Sequence, residues 1–183
     1  MYLYHTNDGQ AFLYVETDKG QKLSILNVSD PAKIRAVAQV TIGAPEPFDF
    51  VQDAGDAAAL VRFRHTSGFG LISFKKCKHP VLAQDSQLAS AGSVEELGAT
   101  GLLFTSANAF AVPHSTTPRE YNVVDTTHAS SPVLLATVSG VTQRLSRDET
   151  GTLFLLSDNG VTVVRRPRVE EDYAAQVRAT EGN

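Results

Sequence analysis

The chain of 183 residues has one cysteine, one methionine and no tryptophan. A lone Cys77 cannot close a bridge within the chain, so the fold does not rest on a disulfide. A basic surplus is missing too: Lys and Arg number 16 against 20 Asp and Glu, a net charge of -4. A general nucleic-acid binder needs the opposite balance across its surface, so that class is set aside. No apolar run approaches the roughly 20 residues of a membrane span. The opening Met1-Tyr-Leu-Tyr-His-Thr-Asn-Asp-Gly9 has neither a basic nor an apolar segment, which predicts no signal peptide and a cytoplasmic location. Zinc-type spacings (His-x-His, His-Glu-x-x-His, Cys-x-x-Cys), a nucleophile elbow, a phosphate loop and a dinucleotide fingerprint are all absent. No metal, cofactor or catalytic residue is therefore predicted.

What the sequence does contain is repetition. With 42% hydrophobic and 20% charged residues it has an ordinary globular composition, read as one domain over 1–183. Four apolar runs recur at roughly 45-residue spacing: Ala11-Phe-Leu-Tyr-Val15, Ala58-Ala-Leu-Val-Arg-Phe63, Gly101-Leu-Leu-Phe-Thr105 and Thr152-Leu-Phe-Leu-Leu156. Each is followed by a polar turn and a second run, at 22–28, 70–74, 121–125 and 160–164. Three then pass through a proline turn into a third run, at 34–40, 81–83 and 133–138. One more strand fits ahead of each unit, at 2–5, 48–52, 94–97 and 141–145. Val, Ile, Leu, Thr and aromatics alternating between Gly, Asn, Asp and Pro breaks are the pattern of hairpin-linked, half-buried strands.

The reading is all-β: four four-stranded antiparallel blades of a β-propeller, at about 1–42, 43–89, 90–138 and 139–183. The run Leu23-Ser-Ile-Leu-Asn-Val-Ser-Asp-Pro31 resembles the LVIVD-repeat family and its YncE-like relatives, and Tyr121-Asn-Val-Val-Asp125 resembles it in part. The resemblance implies a propeller and no shared active site. Closure is open between a ring within one chain, two chains pairing as half-rings in a homodimer, and a longer parent protein. In the tail, Val169, Tyr173 and Val177 are spaced for a helix, while Tyr173, Ala175, Val177 and Ala179 alternate as a strand. Repeat logic selects the strand.

Candidate chemistry lies in loops. The third unit carries an insertion, 106–120, where its siblings have short turns, and such insertions often mark the binding face. It supplies Phe110, His114 and Arg119, to which turns on the same face add Arg64, His65 and Asp158, with Lys19 and Asn159 nearby. These residues are the predicted ligand-binding set. Two basic clusters, Lys75-Lys76-Cys77-Lys78 and Arg165-Arg166-Pro167-Arg168, are read as an anion-binding or acidic-partner surface, or as charges that protect strand edges. The preferred function is a non-catalytic module binding a protein or small ligand. The alternatives are a metal-dependent propeller hydrolase or lactonase using Asp53, Asn108 and Asp158, and a structural assembly module with open blade edges.

Overall fold

The computed structural model describes residues 1–55, 57–66, 68–96, 102–107, 114–129, 131–147 and 149–181. The first sheet is an antiparallel meander of β1 (Tyr2–His5), β2 (Ala11–Thr17), β3 (Lys22–Asn27) and β4 (Arg35–Thr41). Its first turn closes through Gly9, at φ +82°, whose N–H donates to the Thr6 carbonyl at 3.0 Å. The second sheet repeats the plan with β5 (Phe48–Asp53), β6 (Ala58–Phe63), β7 (Phe69–Ser73) and β8 (Val81–Ala83).

Strand alternation decides which faces meet, because successive side chains point to opposite sides. Phe12, Tyr14, Leu23 and Ile25 bury one face of the first sheet against Ala59, Val61, Phe63 and Ile72 of the second. Phe74 sits at the centre of this core, fully buried, with ring centroids 5.1 Å from Tyr2, 5.6 Å from Tyr4 and 4.3 Å from Tyr14. The other face of the second sheet carries Ala58, Leu60 and Leu71, which bury against Leu88, Leu103 and Val124. A strand such as β6, covered on both sides, accordingly reads as a near-continuous apolar run.

A short helix, α1 (Ser86–Ala89), leads into the third sheet. This sheet has six strands: β9 (Ser93–Glu96), β10 (Leu102–Ser106), β11 (His114–Asp125), β12 (Val133–Arg147), β13 (Thr152–Ser157) and β14 (Gly160–Val164), paired in sequence order. It folds over on itself, so that Phe104, Tyr121 and Val123 pack against Val141, Leu153 and Leu155. The chain continues as α2 (Pro167–Glu181).

Two expectations need correction. The mostly β, antiparallel character holds, but among the described residues the strands form three open sheets of four, four and six rather than four separate four-stranded ones. Ser139-Gly140 reads in sequence as a break between units. Instead Gly140, at φ +73°, lets β12 run through, with register shifts against β11 and β13 around it. A glycine adopts this left-handed conformation at little cost, so the strand kinks instead of ending. The tail is a helix, not a strand. Pro167 occupies its first position, where a missing N–H costs nothing, and Glu170 in the first turn accepts from Arg165.

Hairpin alternation sorts the turns into two ends. The lower end gathers the turns after β2 and β6 with the β4–β5 linker, the upper end gathers the turns after β1, β5, β7 and β11, and the β13–β14 turn lies level with Arg119 in the lower part of β11. The sheets stack in the same sense. Arg64 at the lower end of the second sheet reaches Glu16 of the first, at 3.7 Å. At the upper end the Thr126 hydroxyl donates to the Ala54 carbonyl at 3.4 Å.

Candidate functional site

The lower end of the second sheet holds Arg64 and His65 of the predicted ligand-binding set. Arg64 follows β6, and its guanidinium donates to Asp49, with Nη2 at 2.8 Å from Oδ1 and Nε at 3.2 Å from both oxygens. Those bonds hold the Asp49 carboxyl below its ordinary range. The backbone N–H groups of His65 and Thr66 donate to Glu46 at 2.8 and 2.9 Å, and the Thr66 hydroxyl donates to the same carboxylate. Led by that hydroxyl, these donors lower the Glu46 pKa as well. Arg64 and His65 thus belong to a turn clamped by Glu46 and Asp49, with the Arg64 charge matched by carboxylates. This arrangement fixes a loop.

The insertion is not a loop throughout. His114 to Glu120 form the first part of β11, where His114 lies opposite Gln143 and Arg119 opposite Val141. Phe110 and Asn108 lie outside the described residues. Arg119, Val141 and Ser157 are cross-strand partners in turn, so Arg119 shares the lower end of the third sheet with Asp158 in the β13–β14 turn. Arg64 and His65 stand on the second sheet. Asp53 ends β5 at the upper end, accepting from the Tyr2 hydroxyl at 2.6 Å, whereas Asp158 is at the lower end. These two candidate metal ligands therefore do not converge. Among the described residues no group of three His, Cys, Asp or Glu side chains is arranged to hold a metal ion.

The upper end offers a better shaped site. Between the first two sheets opens a groove of about 740 Å³. Along its base lie Tyr4 and the buried rings of Phe12 and Phe74, and its rim carries Lys75, Lys78 and Asp8. The Asp8 carboxylate is occupied locally, accepting from the Thr6 hydroxyl and from Gln10 Nε2 at 2.9 Å, and these bonds keep its pKa low. Neither rim lysine forms an ion pair among the described residues. Tyr14 braces the lysine turn from below, its hydroxyl donating to the Cys77 carbonyl at 2.9 Å. Burial, together with its neighbours Cys77 and Tyr4, pushes the Tyr14 phenol well above its ordinary value, so it stays a donor.

No protein-family model matches the chain, and no curated protein matches its sequence. The groove itself was half legible. In sequence the Lys75-Lys76-Cys77-Lys78 cluster reads either as a place for anions or as charges that protect strand edges, and the aromatic base under it does not show. Tyr4 and Phe12 come from the first sheet and Phe74 from the second, and only the packing of the two sheets joins them. One signal was available: Tyr2, Tyr4, Phe12 and Tyr14 are all aromatics on one face of a two-stranded ribbon.

Proposed function

We propose that this chain is a non-catalytic binding module of the β-propeller type, taking an anionic ligand with an apolar body in the upper groove. The propeller reading is supported by repeated antiparallel meanders that stack face to face through apolar cores. The repeat-level likeness to LVIVD proteins points the same way. The binding reading is carried by one observation: two lysines with no ion-pair partner among the described residues stand at the rim of a groove whose base is aromatic. Apolar burial supplies affinity in such a groove, and a few fixed charges set which end of the ligand faces out. The partner class follows from that chemistry. It is a carboxylate, sulfonate or phosphate attached to an aromatic or aliphatic body, free or on an acidic peptide.

Cys77 lines the groove and is the sole thiol, so it reports occupancy at this place and no other. The test uses 8-anilinonaphthalene-1-sulfonate as the ligand and the neutral reagent N-ethylmaleimide as the thiol label. The sulfonate is expected to slow labelling of Cys77 in the native chain and to leave it unchanged in a Lys75→Glu, Lys78→Glu double variant. Equal labelling rates with and without sulfonate in the native chain would exclude the groove as the site.

A further inference from the structure

We infer that two copies of this chain assemble head to tail, the outer face of the last sheet in one copy seating on the outer face of the first sheet in the other. The stack pairs each sheet face with the next, and two faces are left over at its ends. On the β12–β14 end, Leu145, Phe154 and Val163 are successive cross-strand partners, as are Leu156 and Val161. They share one side of the sheet, opposite the buried Leu153 and Leu155, and their exposure reaches 66% at Leu145 and 61% at Val161. At the other end, Leu3, Leu13, Leu26 and Ala36 form a cross-strand row on the side of the first sheet away from its core. Leu3 is 50% exposed there.

Isolated exposed leucines are ordinary, but aligned rows on two opposite end faces of one chain are not. Both rows are the same kind of surface that the inner sheets bury against one another, which is why the occupant is a second copy. Helix α2 crosses the last face, where the Thr152 hydroxyl donates to Glu170 at 3.2 Å and Arg147 lies over the Tyr173 ring. Between helix and sheet it leaves a groove of about 690 Å³ that is lined by Arg147, Arg165 and Arg178 as well as by Phe154, Val163 and Tyr173.

Area favours closure over a single contact. A face of three or four strands at ~4.8 Å spacing and about six residues long covers roughly 300–400 Å², about half the ~800 Å² per partner of a stable interface. Two such contacts, related by a two-fold axis, bring each chain near that size. A head-to-tail contact that closes after two copies forms a ring; one that does not close forms a filament.

The test is the solution mass by light scattering at 100 µM, with folding checked by circular dichroism. The native chain is expected at about twice its 19.7 kDa. The substitutions fall on exposed side chains: Leu145→Glu with Val161→Glu on the last face, and Leu3→Glu with Ala36→Glu on the first. Each double variant, folded, is expected to weigh as one chain, because unlike faces pair and either one is indispensable. A monomeric native chain, a mass that climbs past two chains with concentration, or a dimer that survives either double variant would overturn the assembly.

Discussion

Gly20 tests how the first two sheets are joined. The turn between β2 and β3 places three successive residues in the left-handed region: Asp18 at φ +55°, Lys19 at φ +55° and Gly20 at φ +89°. A Cβ built on Gly20 would stand 2.3 Å from the Glu46 carbonyl oxygen and 2.7 Å from its carbon, both backbone atoms of the β4–β5 linker. Ordinary contact begins near 3.4 Å, so Gly20→Ala must push the linker by about 1 Å. Gly9 is the natural control, since it has a similar φ of +82° and nothing within 4 Å of its Cβ position. Gly9→Ala therefore measures the backbone term alone, about 1 kcal/mol once the entropy lost by the unfolded chain is offset. Gly20→Ala adds overpacking of roughly 1–3 kcal/mol, for a total of about 2–4 kcal/mol. For a chain of this size that is a fall in Tm of roughly 5–15 °C, against about 2–4 °C for the control. Thermal and urea unfolding followed by circular dichroism read both. If the two variants lose the same stability, the close approach of turn and linker is wrong.

Phe74→Ala is expected to cost about 3–5 kcal/mol, because it opens a cavity beneath three tyrosine rings at the centre of the first core; urea midpoints measure it. Tyr14→Phe keeps the packing and removes only the donor to the Cys77 carbonyl, so the expected loss is about 1 kcal/mol, read by the same midpoints. Glu46 predicts a pH dependence. Its folded pKa lies below the ordinary 4.5, so the stability it contributes is present above that value and disappears as pH falls through the lowered one. Glu46→Gln should have a lower urea midpoint than the native chain at pH 7, and the difference should shrink at pH 3.5. A gap that is constant with pH would remove the carboxylate from the account.

The first two sheets were nearly readable residue by residue, and the reason is local. Asn7-Asp8-Gly9 and Asp53-Ala54-Gly55 put glycine where a positive φ is needed, and Gly9 and Gly55 do stand at +82° and +88°. The strands at 2–5, 58–63 and 81–83 match their expected bounds. The third sheet was harder, because Gly140 serves equally to end a strand or to bend one, and only pairing partners distinguish the two. In the tail, strand-like alternation and helix spacing coexist around Tyr173 and Val177. Pro167 and the first-turn Glu170 were the better guide. Charge compensation at Arg64 was not visible because Asp49 is 15 residues away and is brought near by the pairing of β5 with β6. The upper groove combines residues more than 60 apart, Tyr4 and Phe12 with Phe74, and no local pattern reports that meeting.

The unbroken β12 has a mechanical consequence. The first two sheets adhere through side chains, so one can loosen from the other by letting water into the core between them. The repeats on either side of Gly140 share a strand, and parting them means tearing a backbone ladder that runs from β9 to β14. The C-terminal half should therefore open as one cooperative block, its amides surrendering to deuterium together, while the N-terminal meanders exchange as separate leaves.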